Sequence, residues 1–390
     1  MSVREAAASI TVLGTVKLHE LGAERAKAFL NTAVDLVCGD ENPKNCLLLD
    51  CARVYGNGVN EAMVGQWLAS LPQDERRSRI KILTKGGAGK PEEEWKPKLQ
   101  EEDLREELEE SIRLLGRRPD IFMLHRDDEA MDHVQIVHML ARLQADGLFG
   151  EWGVSNWKWY RLACVLDYIT KWNDSQVQIP SPNVTPMKYP LVSSIQDGLF
   201  LPKHAPWPGT VFMHEQERAF YAATGFVVLP WELFAKGFAL GRSTWLDEEA
   251  SKPSLEVGLP GSKSYRAYRL VSAYVYEGNV QLRDLVLAML EGLTAEEQAN
   301  LLDVSDGRGA VDMTAAQLVL QLYMCLRSNL LESIRGSEGL NVLPIIGTTS
   351  TAHLRELVLA LKALQESPVS AGRLLLDKFK FVSLAQQVPN

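Results

Sequence analysis

The chain has 390 residues, 46% hydrophobic and 23% charged, the balance of an ordinary globular protein and not of a disordered, collagen-like or disulfide-scaffold chain. Lysine and arginine number 41 against 50 acidic residues, and the net charge of −9 excludes a general attraction for nucleic acid or an anionic membrane. Cys38, Cys46, Cys51, Cys164 and Cys325 form no C-x-x-C pair and read as reduced, mostly buried thiols of a cytoplasmic protein. The opening MSVREAAAS carries no apolar core of a secretory signal. No apolar run reaches about 18 residues without a charge, so no membrane span is expected.

Short apolar runs alternate with amphipathic stretches along the chain. ITVLGTVKL (10–18) reads as a strand, and 22–37, with Ala23, Ala26, Leu30, Ala33 and Val37 in register, as a helix. Strands follow at 45–52, 80–85, 120–126, 152–156, 193–196, 226–231 and 341–347. Helices are expected at 60–71, 99–115, 134–146, 160–171, 215–224, 315–327 and 351–364. Continuous apolar strands that alternate with helices argue for a parallel sheet covered on both faces, and about eight such units argue for a single α/β domain, a (β/α)8 TIM barrel over residues 1–390. An open doubly wound sheet is the competitor, but no G-x-G-x-x-G opens any unit.

Three connections are long. Residues 173–191 and 201–210 are rich in proline, and 238–313 separates the seventh strand from its helix while holding a helix of its own near 280–293. In a barrel, strand-to-helix connections lie on the C-terminal face, where sites form.

Polar groups leave three successive strands at that face. The second strand ends in Asp50 with Tyr55 just beyond, the third in Lys85 and the fourth in His125. Singly, each has an ordinary explanation: a turn aspartate, a solvated lysine, a packed tyrosine, a satisfied histidine. Together at adjacent strand ends they point to chemistry. His133 and His138 have no ligand spacing, so no metal is expected. Glu101–Glu110 reads as a solvated acidic face, and Trp152, Trp157 and Trp159 as helix packing or an aromatic pocket wall.

These residues carry a resemblance. LLLDCARVYGNGVNEAMVGQWL is similar to the D-x-A-x-x-Y-G-x-x-x-x-E-x-x-x-G-x-x-L signature of the aldo-keto reductase family. ILTKGG, DIFMLHRDD, GVSN, SSIQ, PWELFAKGF and PIIGTTSTAHLRE resemble further segments of that family, from about residue 10 to 357. The resemblance implies an NAD(P)H-dependent oxidoreductase that reduces an aldehyde or ketone, with Tyr55 as proton donor. Lys85 lowers the tyrosine's pKa, Asp50 holds the lysine, and His125 directs the carbonyl oxygen. It further implies that Ser155, Asn156 and Gln196 bind the nicotinamide carboxamide and that Trp231 stacks on the ring. Gly347, Thr348, Thr349, Ser350 and His353 then line the adenosine phosphate site, where the family's lysine and arginine are replaced by Gly347 and His353. NADPH is the implied cofactor, with NADH as the alternative. The partner is a small-molecule carbonyl compound, medium-sized and apolar or aromatic in preference to a sugar phosphate, in a pocket including Val54 and Trp157; no nucleic acid or membrane partner is expected. The 238–313 connection reads as a surface excursion or as a lid over the dinucleotide, with Lys236, Arg242, Lys252 and Lys263 as anion contacts and Gly237, Gly241, Gly258 and Gly261 as hinges. A non-catalytic, nicotinamide-binding regulatory subunit on the same fold is the alternative function.

Overall fold

The computed structural model describes residues 9–39, 42–89, 96–173, 192–204, 209–240, 273–302, 313–327, 340–366 and 368–385. The chain divides into two compact units: residues 1–195, 213–229 and 343–354, and residues 196–212, 230–342 and 355–390.

The first unit alternates strands and helices: β1 (Ile10–Gly14), α1 (Ala23–Cys38), β2 (Cys46–Asp50), α2 (Val59–Ser70), β3 (Ile80–Gly86), α3 (Glu101–Leu115), β4 (Ile121–Leu124), α4 (His133–Ala145), β5 (Glu151–Ser155) and α5 (Trp159–Asn173). β6 (Val192–Gln196), α6 (Glu215–Thr224) and β7 (Val227–Trp231) follow. Neighbouring strands pair in parallel in chain order, with Gly14 opposite Asp50, Asp50 opposite Leu83, and Lys85 opposite Met123. Their side chains are buried almost throughout, as expected of strands covered on both faces.

The eighth strand is two short pieces, β8 (Asn341–Val342) and β9 (Ile345–Ile346), where the sequence suggests one run over 341–347. Pro344 between them has no N–H to give a ladder. Leu343 nevertheless donates its N–H to Val228 O at 2.9 Å, and Ile345 and Ile346 pair with Val12 and Leu13 of β1. The eighth position therefore bonds to both the seventh strand and the first, and the fold is the (β/α)8 barrel that the sequence suggests.

α2 fits its neighbour only because residue 65 is glycine. A Cβ there would stand 2.0 Å from Leu114 O at the end of α3. That glycine belongs to the signature segment, so part of the motif serves helix packing.

The second unit contains α7 (Glu277–Glu291), α8 (Ala295–Leu302), α9 (Ala315–Arg327) and α11 (Pro368–Ala385); α10 (Thr351–Glu366) begins in the first unit. α8 opens on a reciprocal capping box, in which Thr294 N–H donates to Glu297 Oε2 at 2.8 Å and Glu297 N–H to Thr294 Oγ1 at 3.2 Å. α9 repeats the device with Thr314 and Gln317. Buried Gln321 donates to Leu301 O at 2.8 Å and Ala360 O at 3.0 Å, and Lys378 of α11 pairs with Glu297 at 2.9 Å.

Among the described residues no helix is long and apolar enough to cross a membrane, and no cluster of three or more His, Cys, Asp or Glu side chains could hold a metal ion. Cys38, Cys46, Cys51 and Cys325 are buried and Cys164 is exposed. Gly241, Arg242, Lys252, Gly258, Gly261 and Lys263 lie outside the described residues, as does the proline-rich stretch 174–191.

Candidate active site

Three strand ends and one turn bring Asp50, Tyr55, Lys85 and His125 together in the first unit. The backbone ladder continues past the strands: Cys51 N–H donates to Leu83 O, Arg53 N–H to Lys85 O and His125 N–H to Gly86 O, at 2.8–2.9 Å. The turn that carries Tyr55 needs three successive left-handed residues, Gly56 (φ 57°), Asn57 (φ 53°) and Gly58 (φ 85°). Glycine and asparagine are the residues that adopt this backbone at low cost. Fully buried Asn60 ties the same region to the first strand end, donating to Thr15 O at 2.7 Å and accepting from His19 N–H at 3.0 Å.

Lys85 is 2% exposed, and its Nζ donates to Asp50 Oδ1 at 2.5 Å, Cys51 O at 3.1 Å and Tyr55 OH at 3.1 Å. An ammonium has three hydrogens and a neutral amine two, so three acceptors around Nζ call for the charged form. Burial works to discharge Lys85, but Asp50 and Tyr55 outweigh it and hold the ammonium above the usual lysine range. Burial likewise pushes the Asp50 carboxyl up, and the Lys85 charge acts against that rise.

Burial also raises the Tyr55 phenol above its ordinary value, with the Lys85 ammonium pulling the other way. The ring is edge-on to His125, with centroids 5.9 Å apart and planes at 81°. His125 is 8% exposed; burial first, then the charges of Lys85 and Arg126, hold its imidazole well below the ordinary histidine value. Its Nδ1 is buried without a hydrogen-bond partner among the described residues. The site is thus a neutral phenol and a neutral imidazole side by side over a buried ion pair.

Glu61, the signature glutamate, lies behind this cluster. It is fully buried and accepts from Thr84 Oγ1 at 2.6 Å, one residue before Lys85, with Arg53 Nη1 at 4.0 Å. Glu107, expected on a solvated face, is half-buried and accepts from Gly87 N–H at 2.7 Å, and Glu101, also half-buried, forms ion pairs with Arg105 and Arg142, while Glu102, Glu106 and Glu109 are exposed.

Of the remaining candidates, Ser155 and Asn156 end β5, both buried, with Asn156 left-handed (φ 60°) and donating from Nδ2 to Ser155 Oγ at 2.9 Å. Gln196 is buried, its Nε2 donates to Tyr274 OH, and its Oε1 has no hydrogen-bond partner among the described residues. Trp231 is half-buried at the end of β7. Beyond it, Glu232 takes a left-handed backbone (φ 66°) and pairs with Lys236, which the sequence offers as a cofactor contact. Gly347 is exposed and Thr348, Thr349 and Ser350 partly so. Thr348 Oγ1 accepts from Ser350 N–H at 3.0 Å, and Ser350 Oγ accepts from His353 N–H at 3.3 Å, so these hydroxyls cap α10. His353 itself is exposed. Trp157 is fully buried beneath the Arg161 guanidinium, 5.4 Å from the ring centroid, which fits packing and not an open pocket wall.

Comparison with known proteins agrees with this geometry. The Aldo/keto reductase family model matches residues 11–188. Over that stretch, which is under half of the chain, the sequence is similar to the aldo-keto reductase family. The stretch runs from β1 past the end of α5 and includes Asp50, Tyr55, Lys85, His125, Ser155 and Asn156. The chain is 30% identical over 145 residues to a protein of Schizosaccharomyces pombe described as a voltage-gated potassium channel subunit beta, a match spanning 34% of this chain and 41% of that one. It is 31% identical over 128 residues to human aflatoxin B1 aldehyde reductase member 2, spanning 32% and 33%. The chain thus matches well under half the length of these curated relatives. An aldo/keto reductase from Klebsiella pneumoniae, solved with NADP and acetate, shares the fold at 18% identity and TM-score 0.52 over 96% of this chain and 91% of that one. A holo aldo-keto reductase from Bacillus halodurans does so at 17% identity and TM-score 0.53 over 95% and 91%.

Arg126 is the residue that sequence reasoning missed. It follows the site histidine directly, and its position in HRDD was the available signal.

Proposed function

We propose that this protein is a nicotinamide-dependent oxidoreductase that reduces an aldehyde or ketone to an alcohol, with Tyr55 as proton donor and NADPH as the hydride source. The observation that carries the reading is the Lys85 ammonium, which spends its hydrogens on Asp50, Cys51 and Tyr55. Because Lys85 donates to the phenolic oxygen, the Tyr55 O–H is left to donate elsewhere, and a carbonyl oxygen is its proposed acceptor. Proton transfer leaves a tyrosinate, which the adjacent ammonium stabilises as it forms. His125, kept neutral by burial, donates from Nε2 to the same carbonyl oxygen and fixes its direction. Asp50 keeps Lys85 charged and oriented.

The reduced nicotinamide supplies the hydride when bound. The residues present fit such a group: the unpartnered Gln196 Oε1 is an acceptor that a carboxamide N–H satisfies. Ser155 and Asn156 are assigned to the same carboxamide, Trp231 to the ring face, and Gly347, Thr348, Thr349, Ser350 and His353 to the adenosine phosphate at the start of α10. The NADP-bound Klebsiella pneumoniae protein supports NADPH as the cofactor.

The match to the Schizosaccharomyces pombe channel subunit supports a second reading, a nicotinamide-binding regulatory subunit without meaningful turnover. An NADPH-oxidation screen over aldehydes, ketones and quinones separates the two. Carbonyl-dependent oxidation supports the reductase; cofactor binding without oxidation of any substrate supports the regulatory subunit.

A further inference from the structure

Arg126 stands beside the proposed catalytic pair with no counter-ion among the described residues. Its only hydrogen bond there is from Nη1 to His125 O at 3.2 Å, and its Nε is buried with no hydrogen-bond partner among the described residues. The acids that follow it in the chain are committed elsewhere. Asp127 is held by Arg161 through two bonds of 3.0 Å, and Arg161 also donates to Asp128 O at 3.2 Å and Met131 O at 3.0 Å. Asp128 accepts from Ala130 N–H at 3.1 Å, and Glu129 pairs with Lys158 at 2.8 Å. Near Tyr55, Asp50 is taken by Lys85. Asp127, Glu129 and Asp50 each have a cation, Asp128 caps a backbone N–H, and among the described residues none of them pairs with Arg126, which leaves a positive charge at the end of β4 in a chain of net charge −9.

Burying part of a guanidinium without a partner is costly, and an incoming anion repays the cost. We propose that Arg126 is an anion-binding residue of the substrate pocket, and that the favoured carbonyl substrates carry a carboxylate remote from the reacting carbonyl. The inference rests on the reductase reading for its substrate and on the Arg126 surroundings for its anion. Arg126 acts on the substrate's charged end, whereas Tyr55 and His125 act on the carbonyl.

The test compares 4-carboxybenzaldehyde with its methyl ester, aldehydes of one ring framework that differ in charge, with the full chain and NADPH. The wild type is expected to favour the carboxylate in kcat/KM by about tenfold or more, the scale of one charged hydrogen-bonded pair. Arg126→Met should abolish that ratio, and Arg126→Lys, which keeps the charge but loses the fork, should retain part of it. A rate change shared by both aldehydes cancels in the ratio, so a merely structural role of Arg126 leaves it unmoved. Binding of benzoate against benzamide, by calorimetry on protein saturated with NADP+, gives a readout without turnover. Benzoate should bind the wild type and lose at least about tenfold in Arg126→Met, while benzamide is unchanged. The same aldehyde ratio in wild type and Arg126→Met, or the same benzoate affinity in both, overturns the proposal. A protein that oxidises NADPH with neither aldehyde contradicts the reductase reading alone, and the benzoate titration then decides the role of Arg126.

Discussion

Lys85 Nζ lies 3.1 Å from Tyr55 OH and 2.5 Å from Asp50 Oδ1, so one ammonium is both the partner of a buried carboxylate and the donor to a phenol. Lys85→Met removes both roles. Tyr55 loses the charge that opposes its burial, so its pKa should rise further above the ordinary tyrosine value. The reductive kcat is expected to fall by about 100-fold or more. Asp50 is left buried without its cation, which should cost about 3–5 kcal/mol of stability in a urea titration. Spectroscopic titration of tyrosine reads the first effect, and an unmoved Tyr55 would separate it from Lys85.

The two neutral groups set the pH dependence. His125 is depressed below 6.5 and Tyr55 raised above 10.0. Reduction needs the phenol protonated, a form fully present below its folded-state pKa and lost only as pH rises through it. With saturating cofactor and substrate, kcat for reduction should therefore show no limb at the ordinary histidine value of 6.5 and fall only above the ordinary tyrosine value of 10.0. A limb between those two values that disappears in Tyr55→Phe or His125→Gln would contradict the environments assigned to these groups.

Gln196→Leu keeps the bulk of the side chain and removes its unpartnered acceptor. Fluorescence titration should show NADPH binding weakened by about tenfold, the scale of one buried hydrogen bond. Unchanged affinity would remove Gln196 from the cofactor site.

Gly65→Ala tests the packing of the signature segment. The new Cβ would meet Leu114 O at 2.0 Å, a backbone atom that cannot swing aside. A loss of about 1–3 kcal/mol is expected from the urea midpoint, as for other overpacked sites. A variant as stable as the wild type would show that α2 and α3 can move apart freely.

The sequence displays its strands and helices because apolar runs and 3.6-residue periods are local signals. Asp50, Lys85 and His125 stand out as polar residues at the ends of such runs, which a parallel sheet in chain order brings to one rim. Helices α8 and α11 escaped assignment for different reasons. α8 is short and announced only by the Thr294–Glu297 capping box, while α11 begins at Pro368, two residues after α10, where a proline reads as a stop although it also suits a first helical turn. The broken eighth strand follows from Pro344. The environment of Arg126 could not be read from the chain, because its isolation depends on Asp127 turning to Arg161, 34 residues away, instead of to its neighbour. Such pairings are tertiary and leave no periodic trace.

The central claim is that Tyr55 delivers the proton, and Tyr55→Phe tests it most directly because it removes one oxygen and keeps the ring. Single-turnover oxidation of NADPH by a carbonyl substrate should slow by roughly 100- to 10,000-fold, the range ascribed to general acid catalysis, with NADPH affinity unchanged. A single-turnover rate near that of the wild type, with cofactor bound equally well, would contradict the account.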